Sequence, residues 1–479
     1  MHSLLERGMN NKFKTALKNI MYASIANGIS LMISLLLTLL IPKLFSVRQY
    51  GYWQLYTLYI SFVGFFHLGI VNGIYLEYGG VEYGKLPRDE FRSLFRALNL
   101  LEVIFALIIF AFAFQLVLDE NKKFVICGFA VCMVVHNAKE YAINIFQITN
   151  QMRDYAKFIK FDRYIFFIVT VFALFLGVRE FQTLIVLDIF SKMISMVYAL
   201  SKVKELIHGQ GLKFKNLVGK LKEYIVSGSK IMFASITALL ITGIVRQVVE
   251  LYWNIEVYAK ISLTFSISSM VMVFVNIVGQ ILYPMLRMTN KEKYGEIYIA
   301  IKNVITWVMF TMLIFYYPLK QLIVMWLPNY SDALKYMILL LPMCFYECEF
   351  SMVDKIVLQV IRKEKYVLYT NIVALFITGV FITISLALDC LWMIVAGLSV
   401  SVMIKDLIAE LVIRKYIQTD SGKKYWDLIL NGIFVVFLYF VNELAGAVLY
   451  LLFYILFLFI YRSDISKCKD YLVQQKINN

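Results

Sequence analysis

The chain has 479 residues, of which 61% are hydrophobic and only 16% charged, against roughly 25% charged in soluble domains. That composition excludes an ordinary soluble protein and makes the length a measure of membrane spans rather than of domains. The net charge of +15 invites a nucleic-acid reading, which fails because the basic residues are spread among short loops between apolar runs.

In chain order, a basic N-terminal stretch leads into an apolar run over 20–41. It lacks the short apolar core and small-residue cleavage site of a removable signal peptide, so it reads as a retained first span. Thirteen more spans follow at 52–76, 98–118, 124–148, 162–178, 181–200, 227–251, 258–282, 300–318, 333–356, 366–388, 390–413, 426–442 and 444–461. The hairpins at Val178-Arg179-Glu180, at Asp389 and at Asn442-Glu443 are tight. Loop charge supports the count. Loops on one side carry clusters such as Lys85, Arg88, Arg92 and Arg96, or Lys213, Lys215, Lys220 and Lys222. Loops on the other side carry only pairs or single charges, such as Lys43 and Arg48, or Arg179. This alternation is the positive-inside pattern, and it places both termini in the cytoplasm.

The longest inner connection, 201–226, spaces Phe214, Leu217, Val218, Leu221 and Ile225 helically among lysines, as a basic amphipathic segment suited to an anionic leaflet. It also falls where two similar halves would join. Phe45, Tyr50 and Gly51 after span 1 match Trp253, Tyr258 and Ala259 after span 7 in spacing. The expected organisation is an all-α integral membrane protein: a six-helix bundle over 1–200, the linker 201–226, a second six-helix bundle over 227–418, and two additional helices with a tail over 419–479. Six spans per half would make the repeats parallel.

Polar residues inside apolar runs are the functional candidates, because lipid-buried charge is costly. Arg246 lies in span 7 with Glu250 one turn on. It either faces a watery or anionic interior, or snorkels and pairs with Glu250. In span 4, His136, Glu140, Asn144 and Gln147 share one helical face, with Lys139 beside them. Such a stripe faces an interior or merely glues helices together. Arg153 follows at the inner end of that span. Asp188 and Lys192 in span 6 are spaced for a local ion pair. Span 10 offers Glu347, Glu349, Asp354 and Lys355, and span 12 offers Lys405, Asp406 and Glu410. The later members of each approach a membrane face where they can snorkel. Glu347 sits deeper, as a candidate proton or sodium site. His67 precedes Gly69, Asn72 and Gly73, small residues that permit close packing or an unwound turn. The cysteines form no metal or disulfide pattern and read as buried small hydrophobes.

There is no phosphate loop, HExxH or GxSxG, and no large extramembrane domain. Polar groups scattered over many spans suit a transport pathway better than an enzyme site. Basic groups in that pathway suit an anionic passenger, and arginine's planar fork suits phosphate oxygens.

Several stretches resemble the bacterial polysaccharide flippases, the Wzx-type translocases of O-antigen and related repeat units, of the multidrug/oligosaccharidyl-lipid/polysaccharide (MOP) exporter superfamily. They are Val47-Arg48-Gln49-Tyr50-Gly51-Tyr52-Trp53, Leu68-Gly69-Ile70-Val71-Asn72-Gly73, and Asn144-Ile145-Phe146-Gln147 with Asn150-Gln151-Met152. Tyr224 to Met232, with Gly228 inside it, opens the arginine-bearing span, and Leu282-Tyr283-Pro284-Met285-Leu286 closes the next. Val245 stands where family members often have Asp, and Ser229-Lys230 where they often have Pro. The resemblance covers roughly residues 10–420. It implies two pseudo-symmetric bundles around a central cavity in a bacterial plasma membrane protein. Its passenger would be an undecaprenyl-diphosphate-linked oligosaccharide, flipped outward by alternating access for polysaccharide biosynthesis. H+ or Na+ would be the coupling ion, with polysaccharide polymerase and assembly proteins as partners and no cofactor or nucleic acid. It makes Arg246, Lys139, Lys192 and Arg153 the cationic contacts for the diphosphate and acidic sugars. His136, Glu140, Asn144, Glu347, His67 and Asp188 are the further pathway or coupling candidates. The rivals are an organic-cation antiporter of the same superfamily and a peptidoglycan-precursor flippase. A polysaccharide polymerase would be expected to carry a large outer loop, which is lacking here.

Overall fold

The computed structural model describes residues 28, 32–270, 272, 294–417, 424–441 and 443–460. Most of 20–31, the end of span 8, the Leu282–Leu286 motif, Asn442 and the tail from 461 lie outside the described residues. Two compact units divide the chain, Met1–Gly243 and Ile244–Asn479.

Unit 1 contains α1 (Met32–Leu44), α2 (Val47–Ile60), α3 (Ile70–Tyr78), α4 (Arg88–Leu116), α5 (Glu120–Ile148), α6 (Met152–Phe175) and α7 (Phe181–Lys202). It also contains most of α8 (Phe214–Tyr252). Short polar caps start the helices. Ser46 accepts from the Gln49 amide at 3.3 Å, and Asp119 Oδ1 from those of Asn121 and Lys122 at 2.8 and 3.2 Å. These side chains satisfy amides the helix leaves unpaired. On α4, Leu100, Leu107 and Phe114, seven residues apart, are 64%, 62% and 66% exposed, while Leu94, Leu98, Glu102 and Ala106 are buried. A continuous exposed apolar stripe is a liability in water and the expected surface in lipid.

The stretch read as one span, 52–76, is broken at the unwound turn that its small residues permit. α2 and α3 meet at a 49° bend. Leu68 and Gly69 have φ of 50° and 82°, the left-handed region that ends a helix. The break sets α3 against α8 with backbone touching backbone. A methyl group on Gly228 would lie 2.0 Å from the Gly69 carbonyl oxygen, and one on Gly73 2.4 Å from that of Tyr224. Span 7 is also longer than its apolar run. α8 has 39 residues, about 58 Å at 1.5 Å per residue, so the amphipathic segment and the span are one rod. Leu217, Leu221 and Ile225 pack against the core of unit 1, and Phe214 and Val218 stay exposed.

Unit 2 holds α9 (Ile255–Ser269), α10 (Tyr294–Ile314), α11 (Tyr316–Trp326) and α12 (Met337–Glu349). A π-helical turn, Phe350–Asp354, links α12 to α13 (Lys355–Val360). α14 (Lys365–Ala387), α15 (Leu391–Ile417), α16 (Lys424–Phe440) and α17 (Glu443–Ile460) follow. α14 and α15 form an antiparallel pair through Asp389, at φ 47°. The segment read as span 10 bends by 63° between Pro328–Leu334 and Met337–Val360. The two sequence-matched stretches adopt the same local structure. Ser46 and Asn254 each cap a helix, and Tyr50 and Tyr258, four residues on, are buried.

The described residues are nearly all helical and carry no strand, as a multi-pass membrane protein requires. Among the described residues, α4, α5, α7, α8, α10, α14 and α15 are each long and apolar enough to cross a bilayer, and the two bent pairs raise the number to nine. Shorter apolar helices at Met32–Leu44, Asp427–Phe440 and Leu444–Phe459 account for part of the difference from the fourteen read by sequence.

Candidate functional site

Within unit 1 the polar face of α5 meets α6 and α7. Lys139 Nζ lies 2.9 Å from Asp162 Oδ2, both nearly buried. Lys192 pairs with Asp188 one turn away, and Tyr56 donates to Asp188 Oδ2 at 2.7 Å. Trp53 stacks on Tyr56 and on Phe166, each at 5.6 Å, and walls this polar group. Two of the four cationic candidates are thus already matched by carboxylates, which removes most of the cost of burying them. His136 and Glu140 are half-buried on the same helix, and Asn144 is buried. His136 Nδ1 and Asn144 Oδ1 are buried without a hydrogen-bond partner. His67 serves the break between α2 and α3, where its Nδ1 accepts from the Gly69 amide at 3.0 Å. Arg153 is exposed in the first turn of α6, away from these groups.

Sequence reasoning missed Glu102. It is 1% exposed on α4 and accepts from Asn137 at 2.6 Å, and Asn137 also donates to the Val63 carbonyl at 3.1 Å. A single carboxylate inside a run of apolar residues was the available signal.

In unit 2, Arg246 is half-buried. Its Nη2 donates to the Tyr258 hydroxyl at 3.2 Å, and the guanidinium sits 5.6 Å from that ring's centre. Glu250 is 3% exposed and accepts from Gln247 at 3.2 Å. Glu347 pairs with Lys405, whose ammonium lies 4.2 Å from the centre of the Phe350 ring.

A second concentration of charge, around Lys302, was not expected. Lys302 on α10 is buried, with Glu410 at 3.0 Å, Glu349 at 3.6 Å and Asp406 at 3.9 Å. Thr306 donates to Glu349 at 2.6 Å, Tyr298 to Asp354 at 3.0 Å, and Arg414 pairs with Glu410 at 2.6 Å. The later members of these two spans were read as able to snorkel. Asp354, Asp406 and Glu410 are at most 2% exposed instead, with Lys302 beside Asp406 and Glu410 and the Tyr298 hydroxyl on Asp354. Their common depth was a usable signal: Lys302 starts span 9 while Asp354 and Glu410 end spans 10 and 12, all at the cytoplasmic level of the sequence-based topology.

No protein-family model matches the chain, and no curated protein matches it in sequence. Solved structures do. The chain shares its fold with several solved transporters. The lipid II flippase MurJ in an inward closed conformation superposes with a TM-score of 0.64 at 14% identity, covering 93% of this chain and 100% of that one. An inward-facing multidrug resistance MATE-family transporter of the MOP superfamily gives 0.54 at 12% identity, covering 82% and 100%. A MATE P26A mutant gives 0.52 at 14%, covering 83% and 96%.

Proposed function

We propose that the chain is a flippase that carries a polyprenyl-diphosphate-linked oligosaccharide repeat unit, of the undecaprenyl type, from the inner to the outer leaflet of a bacterial plasma membrane. The observation that supports this most is the extent of the fold match. The lipid II flippase MurJ covers 93% of the chain, the multidrug resistance MATE-family transporter 82%. In this reading Arg246 is the principal contact for the diphosphate, since an arginine fork binds two phosphate oxygens at once. Lys139 and Lys192, paired with Asp162 and Asp188, give the pathway a polar wall of balanced charge, and Arg153 serves the inner entrance. His136, Glu140 and Asn144 border the same wall and meet the sugar hydroxyls.

The test is the pool of lipid-linked sugar in a host whose own repeat-unit flippase is deleted. The wild-type chain clears the inner-leaflet intermediate. Arg246→Ala, at equal membrane level, loses a charged hydrogen bond of about 1.5–3 kcal/mol and clears it roughly tenfold to a hundredfold less well. Clearance of the peptidoglycan precursor alone, in a host depleted of its lipid II flippase, would move the substrate to that saccharide. One observation favours a second reading, an organic-cation antiporter: the carboxylates around Lys302 outnumber its charge. Efflux of cationic dyes without clearance of lipid-linked sugar would establish it.

A further inference from the structure

Where α6 begins and α7 ends, at the cytoplasmic level of the loop-charge topology, a lysine is seated on a tyrosine. Lys157 Nζ lies 4.8 Å from the centre of the Tyr198 ring and donates to its hydroxyl at 2.8 Å. Lys202, one turn beyond Tyr198, sits 5.8 Å from the centre of the same ring. The ring is itself held in place. Phe158 meets it edge-on at 4.9 Å and Phe161 lies at 5.5 Å, and the buried Phe158 stacks on Phe146 at 5.2 Å. Both lysines are exposed. Among the described residues neither forms an ion pair, not even Lys157 with Asp154 one turn before it.

Next to this pair, toward the membrane interior, α7 turns apolar side chains outward. Met193, Ile194 and Val197 are exposed, and with Tyr198 and Ser201 they line an open groove of about 430 Å3. This is the face of α7 opposite to the one that buries Asp188, Lys192 and Ser195. Groove and lysines make one strip, apolar along its length and doubly positive at its polar end. The strip complements a phospholipid of net negative charge, with an acyl chain in the groove and the phosphate at the ammonium groups. An ammonium has three donors, and the Tyr198 hydroxyl takes one from Lys157. Basic pockets between helices at the cytoplasmic side are where anionic headgroups bind. The arrangement recurs in unit 2, in the fifth and sixth spans of the second half. Lys363, just ahead of α14, lies 4.5 Å from the ring centre of Tyr416 at the end of α15, and Lys365 lies 5.5 Å from that of Tyr366. Two occurrences mark a feature of the fold rather than the stray contact of one snorkelling side chain.

We propose that the outer groove of α7, with Lys157 and Lys202, binds an anionic phospholipid of the inner leaflet. A zwitterionic phospholipid offers the groove the same chains, but its own cationic group offsets its phosphate, so the site selects by net charge. The proposal rests on the loop-charge topology and not on the flippase reading.

The experiment is photolabelling of the purified full-length protein in phosphatidylcholine vesicles. The vesicles are doped with a phospholipid bearing a diazirine on its acyl chain, either phosphatidylglycerol or phosphatidylcholine, and labelled peptides are mapped by mass spectrometry. At Met193, Ile194 and Val197 the anionic probe labels roughly 5- to 25-fold more than the zwitterionic one, from about a fivefold gain per lysine. At Leu107 and Ile108, exposed on α4, the two probes label equally. Lys157→Gln combined with Lys202→Gln removes the preference at α7 and leaves labelling by the zwitterionic probe unchanged. Four results overturn the proposal. They are equal labelling of α7 by the two probes, a preference that survives loss of both lysines, absence of labelling by either probe, which would mean that protein covers the groove, and displacement of the anionic probe by a trace of undecaprenyl diphosphate, which would give the groove to the passenger. No transport is read, so the outcome is independent of the flippase reading.

Discussion

Gly228→Ala tests the packing of α3 on α8, the contact that the broken second span creates. The added methyl would stand 2.0 Å from the Gly69 oxygen, 2.5 Å from the Gly73 nitrogen and 3.0 Å from the Gly69 carbonyl carbon. All three are backbone atoms, so no side chain can swing aside. Reaching ordinary contact requires the helices to part by about 1.4 Å. Overpacking of this kind costs about 1–3 kcal/mol, against which the better helix propensity of alanine returns up to about 1 kcal/mol. With the full return of propensity the net expectation is a loss of up to about 2 kcal/mol. Gly219, exposed on the same helix, has no atom within 4 Å of its virtual methyl. Gly219→Ala therefore gains up to about 1 kcal/mol. Denaturant unfolding in detergent, followed by tryptophan fluorescence, compares the two. Equal stability of the two variants would refute the backbone-to-backbone crossing.

Other predictions follow from the ion pairs and caps. Lys139→Met strands Asp162 and costs about 3–5 kcal/mol, and Lys139→Met with Asp162→Leu restores most of it, read by the same unfolding assay. Asp119→Ala removes the cap of α5 and costs about 1 kcal/mol. Although partial burial pushes the Asp119 carboxyl up, the Tyr52 hydroxyl and the backbone amides of Lys122 and Asn121 hold it below its ordinary value. That group stabilises the fold above its unfolded-state pKa and stops doing so as pH falls through the folded one. Asp119→Asn thus flattens the acid side of a stability–pH profile.

Much of the architecture is legible in the sequence because a bilayer makes apolar length and loop charge directly readable. The α5 stripe and the Asp188–Lys192 spacing are visible for the same reason: both are local, set by the helical repeat. What sequence hides is which face meets which. Lys139 finds Asp162 on the next helix, an arrangement fixed by helix rotation rather than spacing. Lys302 gathers carboxylates from α12 and α15, residues 47 to 108 positions away along the chain. The break at Leu68 and Gly69 was announced only by small residues, which fit close packing as well as an unwound turn.

The central claim is that the passenger is a lipid-linked saccharide, and reconstitution tests it most directly. Purified protein in liposomes receives a fluorescent polyprenyl-diphosphate oligosaccharide, and a membrane-impermeant quencher reports how much of it reaches the opposite leaflet. The account predicts that the wild type equilibrates the probe between leaflets and that Arg246→Ala does so at least about tenfold more slowly. Transport of a cationic dye by the same vesicles, with no movement of the lipid-linked saccharide, would contradict it.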